Sequence, residues 1–173
     1  MTADVAIRRC VADDAAPLAA MYAADRDDPT LGASPSVFFT PDGQRDRINR
    51  IWPEHDCVGF VAVRGDDLVG LFVLEDIVQR SAVVGYYVAG AARGGGVATT
   101  ALGALVRVAR DELGLDRLVA DIAPDNVASR CVVEQNDFVA TGAVVVDGAT
   151  FDRFVVRLSR WEPVGAPPEP GQG

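Results

Sequence analysis

The sequence predicts one domain of α+β or mixed α/β class, in which helices lie between the strands of a sheet. The first observation is the order of the segments: strand-like and helix-like segments follow one another along most of the chain. The second is size, since 173 residues suffice for one domain with a substantial core. The third is composition: 49% of the residues are hydrophobic, which excludes a disordered chain.

The first segments are a strand, a helix and a loop. Residues 5–10 (VAIRRC) predict a strand, and residues 27–36 predict a loop rich in turn residues. Between them, residues 12–25 predict a helix with a capping aspartate and early acidic residues. The apolar residues with helical spacing there are Leu18, Met21 and Tyr22.

A second helix and a β-hairpin follow. Residues 41–52 predict the helix, and Pro53 is expected to stop it because proline lacks a backbone N–H. Residues 57–76 contain two apolar runs around RGDD, which predict a hairpin that turns near Gly65 to Asp67. Glu75 and Asp76 are therefore expected at the end of a strand.

The later segments alternate between strands and helices. Residues 81–89 predict a strand, and residues 97–114 predict a helix closed by Gly114 at its C-terminus. Residues 115–123 predict the next strand, and residues 124–138 hold a short helix.

The chain is expected to end with two strands and a tail. The two strands are predicted at residues 139–148 and 150–159. Residues 163–173, rich in proline and glycine, predict a flexible tail, so we expect the folded domain to span residues 1–162.

Charge and cysteine content restrict the function classes. A formal net charge of −9 argues against nucleic acid as a partner. It either favours binding of cationic partners or contributes to solubility alone. Cys10, Cys57 and Cys131 fit no zinc or disulfide spacing, so we expect no metal site and reduced thiols in a cytoplasmic protein. No apolar run approaches the roughly 20 residues of a membrane span, and the start MTADVAIRRC has no signal-peptide pattern.

The stretch GYYVAGAARGGGVATTAL, residues 85–102, places three glycines between a strand and a helix. Unpaired N–H groups at a helix start attract an anion, and glycines let the anion approach the main chain. Arg93 is placed to add a cation. The stretch therefore predicts a phosphate or pyrophosphate site, with a plain tight turn as the alternative. It matches neither the dinucleotide-binding fingerprint nor the P-loop.

Three motifs resemble the GNAT superfamily of acyl-CoA-dependent N-acyltransferases. RGGGVA, residues 93–98, is similar to its R/Q-x-x-G-x-G/A motif, and APDNVASRCVVEQNDF is similar to its later N-x-x-S segment. FDRFVVRLSRWE resembles the end of the subgroup that includes ribosomal-protein N-terminal acetyltransferases. The resemblance covers residues 5–162 and implies a twisted, mostly antiparallel sheet of six to seven strands flanked by about four helices.

The resemblance also implies where acetyl-CoA, the co-substrate, would bind. Backbone N–H groups of the turn would hold the pyrophosphate, a threonine hydroxyl would assist, and the preceding strand would pair with the pantetheine arm. Asn126 would bond that arm, or would only cap a helix. Ser129 would protonate the leaving thiolate, or would only be a small helix residue. The implied CoA-binding residues are Tyr87, Val88, Arg93, Gly94, Gly95, Gly96, Val97, Ala98, Thr99 and Asn126.

Three departures from the superfamily pattern concern acid–base chemistry. The glutamate common two residues before Gly-Tyr is Val83, the usual tyrosine acid is Val133, and the glycine of Gly-Phe is Asp137. Amine attack on a thioester still requires loss of a proton, so another base is needed.

The candidate bases are carboxylates. Glu75 and Asp76 follow a strand, whereas Asp121 stands alone in the apolar run LVADIA, where it would be poorly solvated unless paired. Asp121 is therefore a candidate catalytic residue, with an ordinary ion pair or a strand-edge position as its alternative. His55 is more consistent with a surface position.

Two functions from different classes fit these motifs. The first is acetylation of a primary amine by direct attack in a ternary complex, with a peptide N-terminus, a polyamine or an aminoglycoside-like molecule as acceptor. The second is an acyl-CoA-binding sensor or partner-binding domain with little turnover. A homodimer is left open. The acids Asp25, Asp27, Asp28, Glu75 and Asp76 are expected near the acceptor, where they would attract an ammonium group, unless they are merely a solvated surface.

Overall fold

The computed structural model describes residues 4–31 and 35–158, which form a seven-stranded sheet with helices on both faces. This architecture confirms the predicted fold class. The predicted tail at 163–173, and the end of the domain at 162, lie outside the described residues. The strands are β1 (Val5–Arg9), β2 (Val58–Arg64), β3 (Asp67–Val78), β4 (Ser81–Val88), β5 (Arg117–Ile122), β6 (Val139–Val146) and β7 (Ala149–Arg157). The main helices are α1 (Ala15–Ala24), α2 (Pro41–Asp46), α3 (Val97–Asp111) and α4 (Val127–Glu134).

The sheet opens between its two parallel strands. Its order is β1-β2-β3-β4-β5-β7-β6, and the β4–β5 pair is parallel whereas the other neighbours are antiparallel. β4 and β5 are paired only from Ser81↔Arg117 to Val83↔Val119. Beyond Val83, β4 continues beside β3 and β5 continues beside β7, so a gap separates their ends.

Each face of the sheet carries its own apolar core. Because side chains alternate along a strand, Phe72 and Leu74 of β3 pack with α3 residues such as Leu102 and Leu105. Leu71 and Val73 point to the other face, where they join the cluster of Leu18, Met21, Tyr22 and Trp52. The two faces are called below the α3 face and the α1–α2 face.

The helix that begins at Pro41 continues further than the sequence predicts. After α2, residues Arg47–Ile51 form a π-helical turn, and Trp52–Glu54 add a last α-helical turn. Pro53 therefore lies inside the helix instead of stopping it. The missing N–H of Pro53 costs one intrahelical hydrogen bond at most, and the helix ends at Glu54, one residue later.

β3 also extends beyond its predicted end. Glu75 and Asp76 lie within the strand, which runs to Val78, so the expectation that they end a strand is wrong. The pairing with β4 is interrupted between Glu75 and Val78, and Asp76 has a positive φ of 50°. This irregularity keeps Glu75 in register with β4 while the strand bends immediately after it.

Candidate active site

A cavity of about 350 Å³ lies where the sheet opens, and it is called here the turn cavity. Its walls are the end of β4, the turn before α3 and the first residues of α4. It brings together the predicted CoA-binding residues, with Gly95 the exception among them. Those lining it are Tyr87, Val88, Arg93, Gly94, Gly96, Val97, Ala98, Thr99 and Asn126, together with the predicted catalytic residue Ser129.

The glycine turn is open on the side where an anion would bind. Gly94 and Gly96 have φ values of +78° and +75°, a left-handed conformation that side chains disfavour. A Cβ built at either position would meet nothing within 4 Å. Gly96 is the N-cap of α3, so the unpaired N–H groups of the first helical turn border this open space. The turn therefore fits a pyrophosphate group.

Arg93 connects the turn to the loop that follows α1. Its Nη1 lies 2.6 Å from Asp28 Oδ2, and its Nε donates a hydrogen bond of 2.9 Å to the carbonyl oxygen of Val88. The guanidinium also packs over the Tyr87 ring, 5.0 Å from its centroid. Arg93 is thus already paired with a carboxylate, which reduces the charge that it offers to an anion.

A second arginine near the turn was missed from the sequence. Arg64, the last residue of β2, has its Nη2 3.6 Å from the position of a Cβ built on Gly95. Its Nε is buried without a hydrogen-bond partner in the described structure. No local sequence signal links Arg64 to the turn, because the order β2-β3-β4 in the sheet brings the end of β2 close to the turn that follows β4.

The start of α4 is held by its own cap. The Oδ1 of Asn126 accepts a hydrogen bond of 3.0 Å from the Ser129 N–H, so this oxygen serves as the helix cap. The Tyr86 hydroxyl donates a bond of 3.3 Å to the carbonyl oxygen of Ser129 across the gap. Ser129 lines the turn cavity, and these two hydrogen bonds to residue 129 use its main chain. The Thr99 hydroxyl donates to Gln135 Oε1 at 3.2 Å.

A second cavity, of about 200 Å³, lies on the α1–α2 face and is called here the Glu75 cavity. Besides Glu75 it is lined by one cation, Arg47, and by Gly85 in the centre of β4. Both cavities are lined by Tyr86 and Tyr87, so they lie next to each other at the end of β4. The remaining lining residues are Tyr22, Leu31, Phe38, Leu71 and Val73.

Glu75 lies beside the position that lacks the usual glutamate. It is directly opposite Val83 in the β3–β4 pairing, and directly paired residues project from the same face of a sheet. The Glu75 side chain remains accessible to solvent, yet partial desolvation raises its pKa; the charge of Arg47 opposes this rise, and that of Asp76 adds to it. The structure thus supplies a carboxylate on the correct face from the neighbouring strand.

Asp121 has a different environment from the one that a base needs. Arg153, its partner in the β5–β7 pairing, donates two hydrogen bonds of 2.7 Å to its two carboxylate oxygens. Asp121 lines neither cavity. This geometry agrees with the alternative given above for Asp121, an ordinary ion pair. It places Asp121 outside the candidate active site.

The acidic residues after α1 are committed to the protein itself. The Tyr87 hydroxyl donates to Asp25 at 2.9 Å and to Asp28 at 3.2 Å, and the Gly90 N–H donates to Asp25 at 2.7 Å. Burial, followed by the hydrogen bond to Asp25, raises the pKa of Tyr87. These acids hold the end of β4, so the expectation that Asp25 and Asp28 attract the acceptor does not fit the structure.

Two further observations bear on the chemistry. None of the three cysteines, all of which lie in the described ranges, lines either cavity. Within residues 4–31 and 35–158, no helix is long and apolar enough to cross a membrane.

The opened sheet with a glycine turn at the gap is the architecture that the sequence motifs imply, and comparison with known proteins agrees. A family model described as "Acetyltransferase (GNAT) domain" matches residues 4–139, and the chain therefore belongs to the GNAT family of acetyltransferases. Acetyl-CoA is accordingly the co-substrate that family membership assigns to it.

Individual relatives are similar to this chain over most of its length. The chain is 29% identical over 133 residues to the probable N-acetyltransferase YjcK of Bacillus subtilis, covering 70% of this chain and 74% of that protein. The ribosomal-protein-S5-alanine acetyltransferase of Vibrio fischeri superimposes with a TM-score of 0.80 at 21% identity, over 92% of this chain and 96% of that one. RimJ of Mycobacterium smegmatis, solved with CoA-disulfide, superimposes with a TM-score of 0.75 at 26% identity, over 88% of this chain and 81% of that one.

Proposed function

We propose that the chain transfers the acetyl group of acetyl-CoA to a primary amine by direct attack in a ternary complex. The observation that carries this proposal is that the two cavities lie next to each other and share Tyr86 and Tyr87 as lining residues. A thioester reaching the end of β4 through the turn cavity would face an amine held in the Glu75 cavity. Reacting groups placed in this way need no further diffusion before attack.

The proposed reaction uses one base and one acid. The amine nitrogen attacks the thioester carbonyl carbon, a C–N bond forms, and the C–S bond breaks with its electron pair left on sulfur. Glu75, directly or through a water molecule, takes the proton that the nitrogen loses; its raised pKa makes it a better base than an ordinary glutamate. Ser129, at the turn cavity, passes a proton from water to the thiolate and so keeps its own hydroxyl, and Glu75 returns the proton it took to solvent.

Direct attack is favoured over an acyl-enzyme because no cysteine is placed to accept the acetyl group. Cys10 and Cys57 are partly buried, Cys131 is exposed, and none of them lines either cavity. Burial raises the pKa of Cys10 to about 12, so its thiol stays protonated and unreactive. The unpaired state of the three cysteines also supports a cytoplasmic location.

The acceptor classes expected from the sequence are a peptide N-terminus, a polyamine and an aminoglycoside-like molecule. The Glu75 cavity, at about 200 Å³, is smaller than the roughly 300–1,000 Å³ of pockets that enclose a drug-sized ligand. This size favours a small acceptor, or the terminal unit of a larger one.

The alternative function is an acyl-CoA-binding sensor with little turnover. Val83 favours it, because the base common in the superfamily is missing from that position. Glu75 opposite Val83 favours the enzyme, since it restores a carboxylate on the same face. The two functions differ in turnover, not in acetyl-CoA binding.

Ser129→Ala is expected to lower kcat by about 10²–10⁴, the range for loss of a general acid, with little change in acetyl-CoA affinity. The fold of α4 should survive, because its cap and the Tyr86 bond use the main chain of residue 129. Steady-state kinetics and calorimetric titration with acetyl-CoA measure the two quantities. Cys131→Ala, at an exposed residue of the same helix that lines neither cavity, is the matched control and should keep the wild-type kcat. Wild-type kcat in Ser129→Ala would reduce Ser129 to a packing residue.

Gly85→Val is expected to block the acceptor while leaving acetyl-CoA binding intact. Gly85 lines the Glu75 cavity, a Cβ there meets nothing within 4 Å, and its φ lies outside the left-handed region. Valine therefore fits the strand and fills the cavity. Because a single methylene group in a tight pocket changes kcat/KM by about 10–200-fold, we expect a loss of about 100-fold or more. Gly85→Ala should give a smaller loss. An unchanged kcat/KM in the valine variant would place the acceptor elsewhere.

A further inference from the structure

The Glu75 cavity combines one cation and one carboxylate with apolar walls. Arg47 and Glu75 are its two charged residues, and the tyrosines Tyr22, Tyr86 and Tyr87 complete its titratable residues. The other walls are apolar or glycine, chiefly Phe38, Leu71 and Val73. A site of this composition suits a small molecule that is itself apolar but carries both a positive and a negative group.

Arg47 is held at the cavity by aromatic rings. Its guanidinium carbon lies 4.1 Å from the centroid of the Phe38 ring and 5.1 Å from that of Trp52. Arg47 also begins the π-helical turn, a local distortion that occurs often at functional sites. The rings fix the guanidinium by stacking, so little conformational freedom remains to be lost when a ligand binds.

The guanidinium also lacks a full set of hydrogen bonds. Its Nη1 is buried without a hydrogen-bond partner in the part of the chain that the structure describes. A buried donor without a partner is unfavourable, and such groups in native proteins call for a physical reason. A ligand oxygen next to the guanidinium would supply one. Burial raises the pKa of Glu75 and of Tyr22, and the positive charge of Arg47 opposes both rises, so this charge acts within the cavity.

We infer that the acceptor is a small apolar amine that also carries a carboxylate, such as an apolar α-amino acid, and that Arg47 binds this carboxylate. This inference rests on the proposed function and adds the substrate class. The amine would then lie towards Glu75 and the end of β4, while the apolar side chain would contact Leu71 and Val73. Arginine suits the task because its planar fork matches the two oxygens of a carboxylate.

The inference differs from the cationic acceptor that the acidic composition suggests. Asp25 and Asp28 bind Tyr87, Gly90 and Arg93, so they are already occupied. Within the Glu75 cavity one arginine balances one glutamate, which leaves no excess of negative charge to select a polyamine. The cavity volume of about 200 Å³ also suits a single amino acid.

Binding of the reaction product tests the inference without turnover. The full chain, saturated with CoA, is titrated calorimetrically with N-acetylleucine and with N-isopentylacetamide, which is the same molecule without its carboxylate. We expect N-acetylleucine to bind about 10–100-fold more tightly, the range for hydrogen bonds to charged groups. Arg47→Gln should remove this preference, and Arg45→Gln, at an exposed residue of the same helix, should retain it. Equal affinities in the wild-type chain would overturn the inference, whatever the stability of the variants.

A turnover comparison separates this inference from the proposed function. Leucine, leucinamide and isopentylamine are offered with acetyl-CoA, and acetylated products are measured by mass spectrometry. Preference for leucine supports the inference. Equal or better use of isopentylamine or leucinamide would leave the transferase intact and overturn the carboxylate assignment; use of leucinamide would indicate a peptide N-terminus. If no amine is acetylated while N-acetylleucine still binds through Arg47, the ligand class stands and the proposed function fails.

Discussion

Gly96→Glu is expected to abolish CoA binding while the domain stays folded. The new side chain would project into the open space of the glycine turn, where nothing lies within 4 Å. Its carboxylate would stand beside the pyrophosphate and cancel the attraction of the α3 N-terminus. Like charges placed together in a binding site cost several kcal/mol, so we expect affinity to fall by more than about 100-fold. Calorimetric titration with CoA measures it.

A matched variant separates charge in the turn from strain in the backbone. Gly114 lies just beyond the other end of α3, also has a left-handed φ, of +64°, and also faces open space. Because α3 has 15 residues, the two glycines are roughly 20 Å apart or more. Gly114→Glu should therefore share the strain and the charge but keep CoA binding. Unchanged CoA affinity in Gly96→Glu would remove the glycine turn from the site.

Glu75→Gln is expected to lower kcat by about 10²–10⁴, because a general base contributes a factor of this size. Acetyl-CoA affinity should not change, since Glu75 lines only the Glu75 cavity. Asp76→Asn is the control: it removes a neighbouring exposed carboxylate that lines neither cavity, and asparagine tolerates the positive φ of 50° there. If both variants lose activity equally, the loss reflects the removal of negative charge from this part of the strand, and Glu75 is not the base.

The pH dependence of the same variant gives a second measurement. The ionised carboxylate is the active form, so kcat/KM should fall as pH drops through the pKa of Glu75. Because desolvation raises that pKa, the fall should begin at a higher pH than for an ordinary glutamate. Glu75→Gln should remove this limb of the profile. The raised pKa also means that the ionised form is disfavoured in the folded state, so stability declines as pH rises through it and the variant should be no less stable at neutral pH.

The glycine turn was predictable from sequence because its physics is local. A strand end, three glycines and a helix start occupy consecutive residues, and together they define an anion site without knowledge of the remaining fold. The element order was sufficient for the fold class for the same reason. The end of the second helix was less predictable. Proline normally stops a helix, but here a π-helical turn precedes Pro53 and the helix continues to Glu54.

The acid–base residues depend on contacts distant in sequence, so the sequence left them open. Glu75 faces the correct side of the sheet only because the β3–β4 register sets it opposite Val83. Asp121 seemed exceptional in its apolar run, but its partner Arg153 comes from β7 and could not be assigned before the strand order was known. Arg47 and Arg64 carry no motif, and only packing brings Arg47 to the Glu75 cavity and Arg64 close to the glycine turn.

The central claim is that the chain turns over, and release of free CoA thiol tests it most directly. Acetyl-CoA is incubated with the wild-type chain and a panel of primary amines that includes amino acids, peptides, polyamines and aminoglycosides, and thiol is detected together with the acetylated amine. We predict thiol release that depends on the amine, with one acetylated amine formed per thiol. Acetyl-CoA that binds but yields no amine-dependent thiol with any member of the panel would contradict an acetyltransferase and favour an acyl-CoA sensor.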